Sequence, residues 1–236
     1  MNTAHGSPST PHVFVRPAAA IDALTIGILQ ADAMTEALAA SVGDDLDGEI
    51  AARVNPNVFA DAWLRAITEP PSPAHGVFVA VEDGELVGFA AVAPLQVEGA
   101  DVGANGIRPA ANKPAGETAE CTLEATESAH GPEPAARGTF DTTMGAEEPT
   151  SEPEAEIIAL EVAAAHRRRG HGSRLLASLV DECRQRGIRL LSTWCLAEDD
   201  ARTVFLNSAG FAPTGMRRIL AAGEATLTLH RWHTTL

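Results

Sequence analysis

Apolar and polar positions follow two rhythms along this chain, one near period 2 and one near period 3.6, and a long central stretch follows neither. Val13-Phe14-Val15-Arg16 is a short extended run closed by Pro17. From Ala18 to Ala40 the composition is helical, with Ile21, Leu24, Ile28 and Leu29 near a helical repeat. A second helix is expected over Asn57–Thr68, where Val58, Phe59, Trp63, Leu64 and Ile67 fall on adjoining turns, and Pro70-Pro71-Ser72-Pro73 ends it. Val77–Val81 and Leu86–Val92 are apolar runs on either side of Glu82-Asp83-Gly84-Glu85; an Asp-Gly between such runs predicts a hairpin.

Strong patterning resumes at Ala155. Ala155–Val162 reads as a fourth strand. The run Ser173–Arg186 reads as a helix with Leu175, Leu176, Leu179, Val180 and Cys183 on one face and Gly187 capping its end. Ile188–Cys195 follows as a fifth strand, which makes a strand-helix-strand unit with parallel strands. Asp199 or Asp200 suits the N-cap of a short helix running to Ala209. Thr214–Leu220 and Thr226–His233 then form an antiparallel pair. The expectation is one mixed α/β domain over residues 13–236, preceded by a flexible N-terminus over 1–12.

Residues 97–155 interrupt that domain. They hold six prolines, seven glycines, twelve acids and a single aromatic, Phe140, so too little apolar area is present to offset the entropy of ordering them. The segment is expected to be a low-complexity, disordered insertion between strands 3 and 4.

Charge sharpens the division. The chain of 236 residues has a formal net charge of −15. Residues 1–96 and 97–155 each carry −9, whereas 156–236 carry +3. The overall sign argues against nucleic acid as a partner, and the basic C-terminal part suits a phosphorylated ligand. The acidic remainder is first a solubility feature, though it would also attract a cationic amine. No run of 18 apolar residues is present, and MNTAHGSPSTPH lacks the basic start and apolar centre of a signal peptide. Cys121, Cys183 and Cys195 are odd in number and lack metal-type spacing, so a reduced cytoplasmic chain without a metal is the simplest reading.

The stretch that carries most chemistry is Arg167-Arg168-Arg169-Gly170-His171-Gly172, set between the fourth strand and the helix after it. Glycines let the backbone approach a ligand with no Cβ in the way. Amides at the start of the helix lack intrahelical partners and point at an anion, so a strand, an arginine- and glycine-rich turn and a helix together suit a diphosphate. Arg167-x-x-Gly170-x-Gly172 resembles the acetyl-CoA loop of the GNAT acetyltransferases, and Asn207-Ser208-Ala209-Gly210-Phe211 resembles the Gly-Phe turn that closes that family's fourth helix. The resemblance is closest over 154–220; before that it rests on element order.

The resemblance implies a GNAT-like mixed sheet of about seven strands flanked by about four helices. It implies transfer of an acetyl group from acetyl-CoA to a primary amine by direct attack. The cofactor would be held by Arg167, Arg168, Arg169, Gly170, His171, Gly172 and Ser173, and by backbone groups near Leu160 and Val162 where strand 4 splays from strand 5. The acceptor is a small-molecule or peptide amine; a homodimer is left open, and no membrane partner is expected.

Direct attack needs a neutral amine, and hence a group to take its proton. Strand 4 offers Glu156 and Glu161. In the histone-acetyltransferase branch a strand-4 glutamate is the base, and laid without gaps on the arginine-glycine loop that position falls on Glu156. The bland reading leaves Glu156 solvated at the strand's entry. Glu161 has the opposite pleat parity unless a bulge intervenes. The chain has no tyrosine, the residue that in many relatives protonates the leaving thiolate; its position falls on Leu206 and that of the helix-4 asparagine on Asp199. Ser208 or water is the substitute. This departure keeps a second reading in play, a catalytically weak acyl-CoA-binding regulatory or sensor module. Cys195 is expected near the thiol end of the cofactor but as a buried structural residue. His230 and His233 face opposite sides of a strand and suit an edge-strand role better than a metal. Asp45, Asp47 and Gly48 lack the end positions of a calcium loop.

Overall fold

The computed structural model describes residues 11–42, 54–95, 153–222 and 225–236. Cys121, the Asp45-to-Gly48 stretch, most of the N-terminal segment 1–12 and residues 96–152 of the expected insertion lie outside them. The described chain runs β1 (Val13–Pro17), a 3-10 turn, α1 (Ala23–Val42), α2 (Pro56–Thr68), β2 (Gly76–Glu82), β3 (Glu85–Pro94), β4 (Glu154–Val162), a second 3-10 turn, α3 (His171–Gln185), β5 (Leu190–Leu196), α4 (Asp200–Ser208), β6 (Ala212–Ala222) and β7 (Ala225–Thr235). Seven strands form one sheet in the order β1-β2-β3-β4-β5-β7-β6. Every pairing is antiparallel except β4 with β5, the one pair joined by a helical crossover, as parallel neighbours require.

The hairpin expected at Asp83-Gly84 is present, and both residues have positive φ, 51° and 88°, the pair of values a type I′ turn demands. β4 begins at Glu154, so the last two residues expected in the insertion belong to the strand. The amide of Leu95 donates to Glu154 O at 2.8 Å, so the chain leaves β3 and re-enters at β4 through neighbouring residues. His230 and His233 sit on β7, which lies between β5 and β6; the edges are β1 and β6, because the final hairpin folds back against β5.

Two apolar clusters cover the two faces of the sheet. On one, α3 contributes Leu175, Leu176, Leu179 and Cys183, which pack with Ala155, Ile157, Leu191, Cys195, Leu206, Phe211 and Trp232. On the other, α1 and α2 contribute Ala23, Ile26 and Trp63, which pack on Val79, Phe89, Ala91 and Ala159. The α1 stripe expected from the sequence is displaced: Ile21, Leu24 and Ile28 are exposed, at 87%, 55% and 43%. The reason is the closeness of α2. A Cβ at Gly27 would stand 2.6 Å from both Ala60 N and Pro56 O, so the helices can meet only on the face with Gly27, Ala23 and Ile26. α1 packs over β3 and β4 and α2 over β2. Among the described residues neither helix packs comparably on β5, β7 or β6, so that half of the second face is open.

Candidate functional site

The arginine-glycine loop stands at the end of β4 that points toward the start of α3. Gly170 is the N-cap of α3 with φ 85°, a left-handed backbone that only glycine takes freely. Arg168 has positive φ as well, 63°. The amides of His171, Gly172 and Ser173 open the helix and have no acceptor within it, whereas Arg174 N returns to Gly170 O at 3.1 Å. Arg167 is spent on structure: its Nε donates to Val162 O at 3.1 Å and its guanidinium pairs with Glu36 of α1. Arg174 donates to Arg169 O at 3.1 Å. The exposed Arg168 is the loop's free cation among the described residues.

Below the loop lies a carboxylate that the sequence did not single out. Glu82, 6% exposed at the end of β2, accepts from Arg169 at 2.7 Å. Its other oxygen lies 3.7 Å from His166 Nε2 and 3.5 Å from His171 Nε2. The His171 side chain is 1% exposed and packs beneath the loop, so its backbone amide and not its imidazole is the group that can meet a ligand. Burial holds the His171 imidazole below its ordinary pKa, against the attraction of Glu82. Glu82 thus fastens the loop from underneath. A carboxylate just before a turn reads in sequence as solvated, and only tertiary packing reveals its role.

β4 and β5 are paired from Glu154↔Leu190 to Ile157↔Thr193 and separate beyond. In the separated part, Ala163 N donates to Val87 O of β3. Backbone direction alternates along a strand, so Glu161 also bonds toward β3 while the peptide groups of Leu160 and Val162 point into the gap. The gap leads up to the open amides of α3.

The two strand-4 glutamates lie on one face. Ala91 pairs with Ala159 and Val92 with Ile157, which leaves Ile158 as a bulge. The bulge reverses the parity that simple alternation assigns. Glu156, paired with Ala93, and Glu161, paired with Phe89, both face the α1 side. Their surroundings differ. Both oxygens of Glu161 accept from Arg202 Nη2 at 2.9 Å, a bridge from β4 to the first turn of α4 that sequence reading missed. Glu156 accepts one bond, from Trp194 Nε1 of β5 at 3.3 Å, and stands next to the last paired residue before the gap.

The open half of the face around Glu156 is polar. Arg231 of β7 pairs with Glu154 and donates to Ser192 Oγ at 3.2 Å. Arg218 of β6 lies over the Trp194 ring, 4.2 Å from its centroid. On the opposite face, Cys195 is buried, 3.4 Å from Leu196 O and 3.9 Å from Thr203 Oγ1, and burial pushes its thiol pKa up; Cys183 is pushed up to about 11 by the same cause. Leu206 is core, Asp199 caps α4 by accepting from Arg202 N at 2.9 Å, and the Ser208 hydroxyl donates to Phe205 O at 2.7 Å. Among the described residues no group of His, Cys, Asp and Glu is arranged to hold a metal, and no helix is long and apolar enough to cross a membrane.

Comparison with known proteins agrees with this fold. The model of the acetyltransferase (GNAT) family matches residues 48–211. A sequence search of curated proteins found no match. Among solved structures, the ribosomal-protein-alanine N-acetyltransferase of Brucella melitensis is 18% identical over 94% of this chain and 99% of its own, with a TM-score of 0.57. An N-acetyltransferase from Staphylococcus aureus Mu50 is 16% identical over 95% of this chain and 98% of its own, with a TM-score of 0.56. The acetyltransferase yncA of Salmonella typhimurium, solved with acetyl-CoA, is 16% identical over 94% and 93%, with a TM-score of 0.53.

Proposed function

Because the chain belongs to the GNAT acetyltransferase family, whose members transfer the acetyl group of acetyl-CoA to amines, we propose that it passes that group directly to a primary amine, with Glu156 as the proton acceptor. Acetyl-CoA supplies an acyl group already activated as a thioester. The chain's residues fit it: a left-handed Gly170, three unpartnered first-turn amides and Arg168 suit the diphosphate, and the peptide groups of Leu160 and Val162 face the gap where the pantetheine arm would lie.

The position of Glu156 carries the proposal. It lies beside the start of the gap, on the open face, with a single neutral N–H on its carboxylate. An incoming ammonium gives up one proton there or to a water held there, and its nitrogen then bonds the acyl carbon as the carbon–sulfur bond breaks. Glu161, bound at both oxygens by Arg202, serves instead to tie α4 to β4. A covalent acyl-enzyme is disfavoured, since both described thiols are buried and less acidic than ordinary cysteine. With Leu206 in the core and the Ser208 proton committed to Phe205 O, water carries the second proton, lost by the nitrogen once it is bonded to the acyl carbon, to the departing thiolate.

The test is a pair of pH–rate profiles with a reactive amine. Glu156→Gln should lower kcat by about 10²-fold near pH 7, with the defect shrinking as alkaline pH supplies free amine. Acetyl-CoA affinity should hold. Glu161→Gln should lose thermal stability and keep the wild-type profile shape. A Glu156→Gln profile superimposable on wild type would falsify the assignment.

A further inference from the structure

The open face also carries information about the acceptor. Of the two arginines that β6 and β7 place on it, Arg231 is neutralised by Glu154 at the floor, with side chains 16% and 18% exposed. Arg218 is different. Among the described residues its partner is the Trp194 ring and not a carboxylate. The same indole donates its N–H to Glu156. One rigid aromatic plate thus holds an acid at its edge and a solvent-facing guanidinium above its face. A hydrogen bond, half an indole and a stacking distance set the two charges roughly 7 Å apart.

We propose that Arg218 is the anion-holding end of the acceptor site, and that the acceptor is a small zwitterion whose primary amine and carboxylate lie one or two carbons apart. This rests on the acetyl-transfer reading. The amine end meets Glu156, and the carboxylate meets the planar fork of Arg218, which presents paired N–H donors while the ring below keeps the fork flat. The spacing matches the amine and carboxylate of one amino acid with a single hydrogen bond at each end. An uncharged amine leaves Arg218 unmatched. A peptide N-terminus has an amide where the carboxylate should be, and gains nothing from the guanidinium. A diamine brings a second cation toward Arg218 and is repelled.

The test uses matched pairs of free α-amino acids and their primary amides. Thiol release from acetyl-CoA is measured for wild type, Arg218→Ala and Arg218→Lys, and binding of the same pairs is followed by ligand-observed NMR. The best acid should exceed its amide by about tenfold or more in kcat/KM with the wild-type protein. Arg218→Ala should abolish that preference by raising KM for the acid, leaving the amide and acetyl-CoA affinity unchanged. Arg218→Lys should restore part of it. Equal use of acid and amide by wild type overturns the inference and leaves acetyl transfer intact. Acid-selective, Arg218-dependent binding without thiol release from any amine sustains the anion site and overturns the transfer reading. Absence of acid-selective binding overturns the site.

Discussion

Replacing Gly170 separates the fold from the ligand. A Cβ there would stand 2.9 Å from Arg174 Nη1 and 3.6 Å from its Cζ. Those atoms are the far end of a flexible exposed side chain and can move aside. What cannot move is the backbone, whose φ of 85° any L-residue adopts at a loss of roughly 1–2 kcal/mol. Gly170→Ala and Gly170→Glu share that loss, so both should melt several degrees below wild type for a domain of this size. They should part company in binding. The alanine methyl displaces Arg174 and weakens coenzyme A affinity modestly. The glutamate also sets a charge about 5 Å from a diphosphate, which opposes binding by roughly 1–3 kcal/mol per charge pair over the range from water to a protein surface. Two such pairs amount to roughly 2–6 kcal/mol, a loss of at least about thirtyfold. Calorimetric titration with coenzyme A and thermal melts of the three proteins measure both quantities. Raising the salt should narrow the gap between the alanine and glutamate variants, because only the charge term is screened. A folded Gly170→Glu protein with wild-type affinity would show that the loop does not hold the diphosphate.

Two further outcomes concern stability. Leu95 and Glu154 are already hydrogen-bonded, so replacing residues 96–152 with four Gly/Ser residues should leave a cooperative fold that binds acetyl-CoA and gains roughly 2 kcal/mol from the shorter loop; loss of cooperative urea unfolding would place that segment in the core. His171 and His75 are both held below their ordinary pKa by burial, so the unfolded chain binds more protons as acid is added. Stability should therefore be full above about pH 6.5 and decline as pH falls through that value. Asp22 is held low by the hydrogen bond from Arg16 and loses its contribution only below the usual carboxylate range. Urea midpoints at pH 7.5, 6.5 and 5.5 should therefore vary less for His171→Leu than for wild type, and an unchanged slope would exclude His171 as the titrating group.

Local signals in the chain led to local structure. The Asp83-Gly84 turn, the leucine face of α3 and the Asp199 cap each depend on residues within a few positions of one another, and each is where the pattern puts it. The loop of Arg167–Gly172 was legible for the same reason. What sequence could not supply depends on distant partners. The bulge at Ile158 hides in an unbroken apolar run, Ile157-Ile158-Ala159, where alternation has no contrast to display. Glu82 is fixed by residues more than eighty positions away, and Arg202 reaches back to Glu161. The buried side of α1 was set by the approach of α2 at Gly27, which buries Ile26 and leaves Ile21 and Leu24 exposed. The stacking of Arg218 on Trp194 required knowing that β7 lies inside the sheet.

The bulge at Ile158 acts as a change of phase in β4. Ahead of it the even-numbered residues face the α1 side of the sheet; after it the odd-numbered ones do. The phase governs peptide groups as well as side chains, since both alternate with the same period. A single-residue insertion or deletion between Ile158 and the arginine-glycine loop would therefore exchange two things together. Glu161 would turn toward α3, and the peptide groups of Leu160 and Val162 would turn from the gap toward β3. Substitutions along β4 alter one contact each, but a change in length there rewrites the whole strand. Length, more than the identity of its apolar residues, is the property this strand must keep if Glu161 is to stay on the α1 side and the Leu160 and Val162 peptides are to face the gap.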